Sequence, residues 1–179
     1  FIGDADEIWN PENLPPLGRW KLEQLVYAYY LNNRSNEWWE GTSVMPYSLI
    51  KECPLDDLRA HDYHPRPISR ASTWKNCGWH FTNMGGIEFI KRKMNSYSHQ
   101  EINTNENQNL LERRIFENKD FIGRDFKMWT DESDWPEYLK ENREKYKHLL
   151  GRRGAFGMLF VDDEEKPKFI VEKPLLPEK

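Results

Sequence analysis

Cysteine is nearly absent from this chain of 179 residues. Only Cys53 and Cys77 occur, too few for a disulfide framework or for a zinc site built from cysteines. The two could pair, or both could be buried free thiols. No apolar run approaches the length needed to span a bilayer. Basic residues number 26 against 30 acidic ones, for a formal net charge of −4. They are scattered rather than striped, so no nucleic-acid footprint is indicated. There is no internal repeat and no low-complexity tract. The chain also lacks a Met at position 1 and opens on what reads as a buried strand, so the natural protein is expected to continue upstream.

Aromatic residues, by contrast, are plentiful: 8 Trp, 8 Tyr and 9 Phe in a chain whose hydrophobic share is 37%. Most such residues belong to a core. In a chain this polar, some are expected to line a cleft, where flat apolar faces suit sugar or base rings. The length suits one domain with a sizeable core.

The first ten residues carry the sharpest signal. A short apolar run enters Gly3 and at once delivers Asp4, Asp6 and Glu7. On an extended segment alternate side chains share a side, and a turn after Gly3 would bring Asp4 and Asp6 towards one point. Two converging carboxylates repel unless a hard divalent cation lies between them. Mg²⁺ or Mn²⁺ takes such oxygen ligands and keeps positions open for phosphates. An acidic surface turn after a core strand would give the same letters.

Downstream, Asn10 to Pro16 reads as a short helical turn with Asn10 as N-cap and Pro11 in first position. Leu22–Leu31 is rich in Val and Tyr and reads as a strand. A second strand begins at Trp38-Trp39 and runs to about Tyr47. Pro54–His61 reads as a short helix, followed by a proline-rich loop to Pro67. Trp74–Gly86 places His80 in an aromatic strand, with Gly85-Gly86 opening the next helix. Those glycines allow close backbone approach and leave helix N-terminal amides open to an anion. A simple helix-entry turn explains them equally well.

That helix, about Gly86–Ser96, is expected to bury Ile87, Phe89 or Ile90, Met94 and Tyr97, with Lys91-Arg92-Lys93 on a solvated face. A second helix over Asn107–Asn118 carries Leu110, Leu111 and Ile115. A third over Pro136–Leu150 has Asp134 as cap and Gly151 as stop. Ala155–Val161 and Lys168–Glu172 read as a hairpin. Asn33-Arg34-Ser35 has the pattern of an N-glycosylation acceptor.

Taken in order, Asp4-Ala5-Asp6-Glu7-Ile8, the aromatic strand near Tyr27–Tyr30, Gly78-Trp79-His80-Phe81 and Gly86-Ile87-x-Phe89 resemble glycosyltransferase family 17. That is the family of β-1,4-mannosyl-glycoprotein N-acetylglucosaminyltransferases. The resemblance runs from Phe1 to about Leu150, with residues 151–179 as a hairpin extension of the same domain. Asn10 and the prolines beyond it stand where the family often has Pro after Asp-Glu-Ile.

The resemblance implies an α/β fold of the GT-A type whose uridine-binding first half would precede Phe1. It implies a UDP-GlcNAc donor, a glycan acceptor, a Mn²⁺ or Mg²⁺ cofactor and inverting transfer to a sugar hydroxyl. Asp4 and Asp6 would hold the ion, with His80, or else His99, completing its shell. Glu101 is the preferred general base and Glu88 the runner-up. Trp79 and one of Trp38 or Trp39 would form a sugar platform, with Gly85 and Gly86 near the diphosphate. Two other readings stay open. One is a phosphatase of the haloacid dehalogenase type, whose Asp-x-Asp would need a Thr where Ile8 stands and for which Phe160-Val161-Asp162-Asp163 mimics a later acidic pair. The other is a non-catalytic carbohydrate-binding module.

Overall fold

The computed structural model describes residues 1–52, 71–96, 99–154 and 157–160. The expected helix over 54–61, the proline-rich loop, Cys53, Tyr97 and the arm over 168–172 lie outside the described residues. The architecture is mixed α/β. Strands β1 (Glu7–Trp9), β2 (Trp20–Ala28), β3 (Asn33–Val44), β4 (Ser72–Trp74), β5 (Gly78–Thr82) and β6 (Met128–Thr130) form one sheet. Its order is β1-β5-β2-β3-β6, with β4 paired to β2. Strands β7 (Gly151–Gly154) and β8 (Gly157–Phe160) make a separate antiparallel pair.

The chain falls into two compact units, Phe1–Val26 with Glu37–Phe81, and Tyr27–Asn36 with Thr82–Lys179. In the first unit, Leu22, Val44 and Cys77 are buried together, and Trp20 and Trp74 pack against them. The two indoles meet edge to face, with centroids 5.1 Å apart, the arrangement that ring quadrupoles favour. The Asn10 N-cap is as expected: its Oδ1 accepts from the Glu12 N–H at 3.1 Å over the short 3₁₀ turn Pro11–Asn13. Helix α1 spans Tyr47–Glu52.

The second unit packs Tyr29, Tyr30, Ile87, Ile90, Met94, Leu111 and Ile115 into one core. Helix α2 runs over Ile87–Ser96 and buries Ile87, Ile90 and Met94. Ile90 is therefore the core residue of the Phe89–Ile90 pair, and Phe89 is exposed. Gly85 and Gly86 precede it at φ 94° and 84°, in the left-handed region that residues with a Cβ adopt at a cost. Helix α3 runs over Asn105–Phe116, capped by Thr104, whose hydroxyl accepts from the Asn107 N–H at 3.1 Å. Its buried stripe is Leu111, Ile115 and Phe116.

Three expectations are corrected here. The single helix over 136–150 is a short α4 (Glu137–Glu141) followed by a 3₁₀ stretch, Arg143–Leu149. At the break, the Asn142 side-chain amide donates to the Tyr138 carbonyl at 2.9 Å, the same carbonyl its own backbone N–H reaches. Such local competition is why Asn weakens helix interiors. The N-cap position belongs to Pro136, with no side-chain cap, rather than to Asp134. Gly151 also begins a strand, so the hairpin partner of Gly157–Phe160 is Gly151–Gly154.

The glycosylation triplet starts on β3, where Asn33 is fully buried. Its Nδ2 donates to the Ala28 carbonyl at 3.0 Å and to Asn118 Oδ1 at 2.8 Å. This amide is a structural strut of the turn between β2 and β3 and is not presented to solvent.

Candidate functional site

The acidic motif folds as a turn between two extended pieces. Ile2 bridges Ser43, with both backbone hydrogen bonds formed. The chain then turns, the Glu7 N–H donating to the Asp4 carbonyl at 3.2 Å. From Glu7 it pairs antiparallel with β5, in the register Glu7 with His80, Ile8 with Trp79 and Trp9 with Gly78. One further hydrogen bond, from Phe81 N–H to the Asp6 carbonyl at 3.0 Å, extends the ladder into the turn.

This pairing needs Gly78. A Cβ there would overlap the Ile8 carbonyl and lie 3.1 Å from Trp9 Cα. With a glycine the strands close up, and the two motifs singled out in the sequence meet. His80 Nε2 lies 3.4 Å from Asp6 Oδ1. His80 is 8% exposed, and its buried Nδ1 has no hydrogen-bond partner among the described residues. Trp39 covers the imidazole, with ring centroids 4.8 Å apart and planes tilted by 32°.

Glu7, part of the acidic motif but not among the ligands expected from it, accepts hydrogen bonds on both of its carboxylate oxygens. Its Oε1 accepts from Trp39 Nε1 at 2.9 Å. Its Oε2 accepts from Gln24 Nε2 at 3.2 Å and from the Thr42 hydroxyl. Trp9 Nε1 donates in turn to that hydroxyl at 2.9 Å. Trp9 and Trp39 are nevertheless 39% and 38% exposed, and Phe1 stacks on Trp9 at 4.7 Å. The two indoles therefore have their N–H groups satisfied inward while keeping apolar surface in solvent. Trp38 is exposed and Trp79 half-buried. Trp9 went unnoticed because nothing in the sequence tells which tryptophan ends up with its N–H tied down.

The donor set fits a divalent ion in part. Two ligands held about 2.1 Å from one octahedral ion lie roughly 3 Å apart, close to the Asp6–His80 separation. Among the described residues, no group of three or more His, Cys, Asp or Glu side chains is gathered as a metal site.

The remaining candidates belong to the second unit. His99 Nδ1 and Glu101 Oε1 are 2.7 Å apart, both well exposed. The Glu101 backbone N–H, and then the hydrogen bond with His99, hold that carboxyl below the usual range. Glu88 is exposed and paired with Lys91 at 3.1 Å. Lys91 also bonds Glu112 at 3.1 Å, and the two partners, Glu112 first, hold its ammonium above its ordinary value.

No family model, no curated protein and no solved structure gives a significant match to this chain. Among the described residues, no helix is long and apolar enough to cross a membrane.

Proposed function

We propose that this chain is part of a metal-dependent inverting glycosyltransferase that moves a sugar, N-acetylglucosamine from UDP-GlcNAc, to a glycan hydroxyl. The observation that carries the reading is the contact between its two motifs: the Asp-x-Asp turn and the Gly-Trp-His strand bring Asp6 and His80 to 3.4 Å. The mixed α/β architecture is compatible with a GT-A fold, which belongs to the same proposal.

In this reading Asp6 and His80, with Asp4 from the same turn, would hold Mn²⁺ or Mg²⁺. When bound, the ion supplies positive charge against the developing charge of the departing diphosphate. Glu101 takes the proton of the acceptor hydroxyl as its oxygen bonds the anomeric carbon. The bond from that carbon to the diphosphate breaks, and UDP leaves with the electron pair. His99, at hydrogen-bond distance, orients the Glu101 carboxylate. Trp39, partly exposed and braced on His80, offers an apolar face to a sugar ring.

Asp6→Ala tests this in the full-length protein. Mn²⁺-dependent turnover of UDP-GlcNAc is expected to vanish with the fold intact by circular dichroism. Turnover undiminished by the substitution would contradict the assignment.

A further inference from the structure

We infer that Glu7 is a positioning residue: it pins the Trp39 indole over His80, and so fixes His80 against Asp6, without itself touching the ion. The inference rests on the transfer reading above for what Asp6 and His80 do, but the pin stands on contacts of its own.

Both carboxylate oxygens of Glu7 are already committed. Oε1 holds the Trp39 N–H at 2.9 Å, and Oε2 takes the Thr42 hydroxyl and the Gln24 amide at 3.2 Å. Thr42 and Gln24 are fully buried, so these donors are held by the sheet rather than by solvent-exposed rotamers. The backbone closes in as well. A Cβ at Gly3 would lie 2.9 Å from Oε2, and one at Gly41 would overlap Oε1 and Trp39 Nε1. An acid gripped on both oxygens and flanked by two glycines has little freedom to swing towards an ion.

What it does instead is set a neighbour. The indole whose N–H it fixes lies 4.8 Å from the imidazole that approaches Asp6. Residues that orient ligands in this way raise metal affinity without joining the coordination shell.

The conservative substitution separates the two roles. In Glu7→Gln the amide oxygen can still accept from Trp39. The new NH₂ faces the Thr42 oxygen and the Gln24 Oε1, which has no partner among the described residues and is available once that amide turns. A pin survives this change; a charged metal ligand does not.

The experiment compares wild type, Glu7→Gln, Glu7→Ala and Trp39→Phe in the full-length protein. Hydrogen exchange of the Trp39 indole N–H is read by ¹⁵N NMR, with the resonance assigned by its loss in Trp39→Phe. Mn²⁺ affinity is read by electron paramagnetic resonance of the free ion. Glu7→Gln is expected to keep slow indole exchange and Mn²⁺ affinity within about threefold of wild type, whereas Glu7→Ala and Trp39→Phe each weaken Mn²⁺ by about tenfold or more. Glu7→Ala also frees the indole to exchange quickly.

Loss of Mn²⁺ by Glu7→Gln as complete as that of Asp6→Ala would make Glu7 a direct ligand and overturn the inference. Slow indole exchange persisting in Glu7→Ala would overturn the pin. If Glu7→Ala does not fold, Glu7→Gln against Trp39→Phe decides the matter on the same two readouts. Should wild type take up no Mn²⁺, the transfer reading fails by itself, and indole exchange still judges the pin.

Discussion

His80 Nε2 lies 3.4 Å from Asp6 Oδ1, although the two residues stand far apart in the chain. The antiparallel register of β1 and β5 makes the contact, and the missing side chain at Gly78 permits it. The acid turn and the aromatic strand are thus two halves of one edge of the sheet. A metal-side role for this edge carries a consequence for the base that the same chemistry requires.

Glu101→Gln removes the proposed proton acceptor while leaving the diphosphate side untouched. Turnover is expected to fall by about 10²-fold or more, with UDP affinity unchanged by calorimetry. Full activity in this variant would remove Glu101 from the mechanism.

Asn33 offers a test of the fold apart from function. Replacing it by Asp removes the donor that reaches Ala28 O and Asn118 Oδ1 and buries a charge at a site with no exposure. The expected loss in urea unfolding is about 3 kcal/mol or more. For the same reason, folded protein offered to an oligosaccharyltransferase is expected to stay unmodified at this triplet, as intact mass would show.

Strands β2, β3 and β5 were readable in outline because Val, Tyr and Trp cluster there. The buried strand expected at the opening is instead a single bridge at Ile2 with Phe1 exposed, and β1, β6 and β7 were not foreseen. The cap was readable at Asn10 because its side chain acts locally. The acid turn and His80 were legible as motifs. Their meeting was not, since it depends on a long-range pairing register. Glu7 was passed over for a related reason: its donors come from β2 and β3, and no local pattern announces which carboxylate will receive them. The break at Asn142 was missed because Asp134 and Gly151 read as the cap and stop of one helix, while the side-chain competition for the Tyr138 carbonyl that acts against it lies between them.

Cys77 supplies a pH-dependent prediction. Burial pushes its thiol up to about 11, against opposing hydrogen bonds that link it to backbone groups. The folded state therefore favours the protonated form. The stability this provides is fully present below the unfolded thiol value, about 8.5, and is lost as pH rises through the folded one. At about pH 8, just below that unfolded value, native protein is expected to resist iodoacetamide at Cys77, with labelling appearing only on unfolding, read by peptide mass spectrometry. Rapid labelling of native protein would contradict the buried placement.

The central claim is that the Asp4–Asp6 turn and His80 engage a nucleoside diphosphate through a divalent ion, and calorimetry of UDP with the full-length protein tests it most directly. UDP is expected to bind well with Mn²⁺ present and only weakly with the metal removed by chelation. Equal affinity in the two conditions would contradict the account.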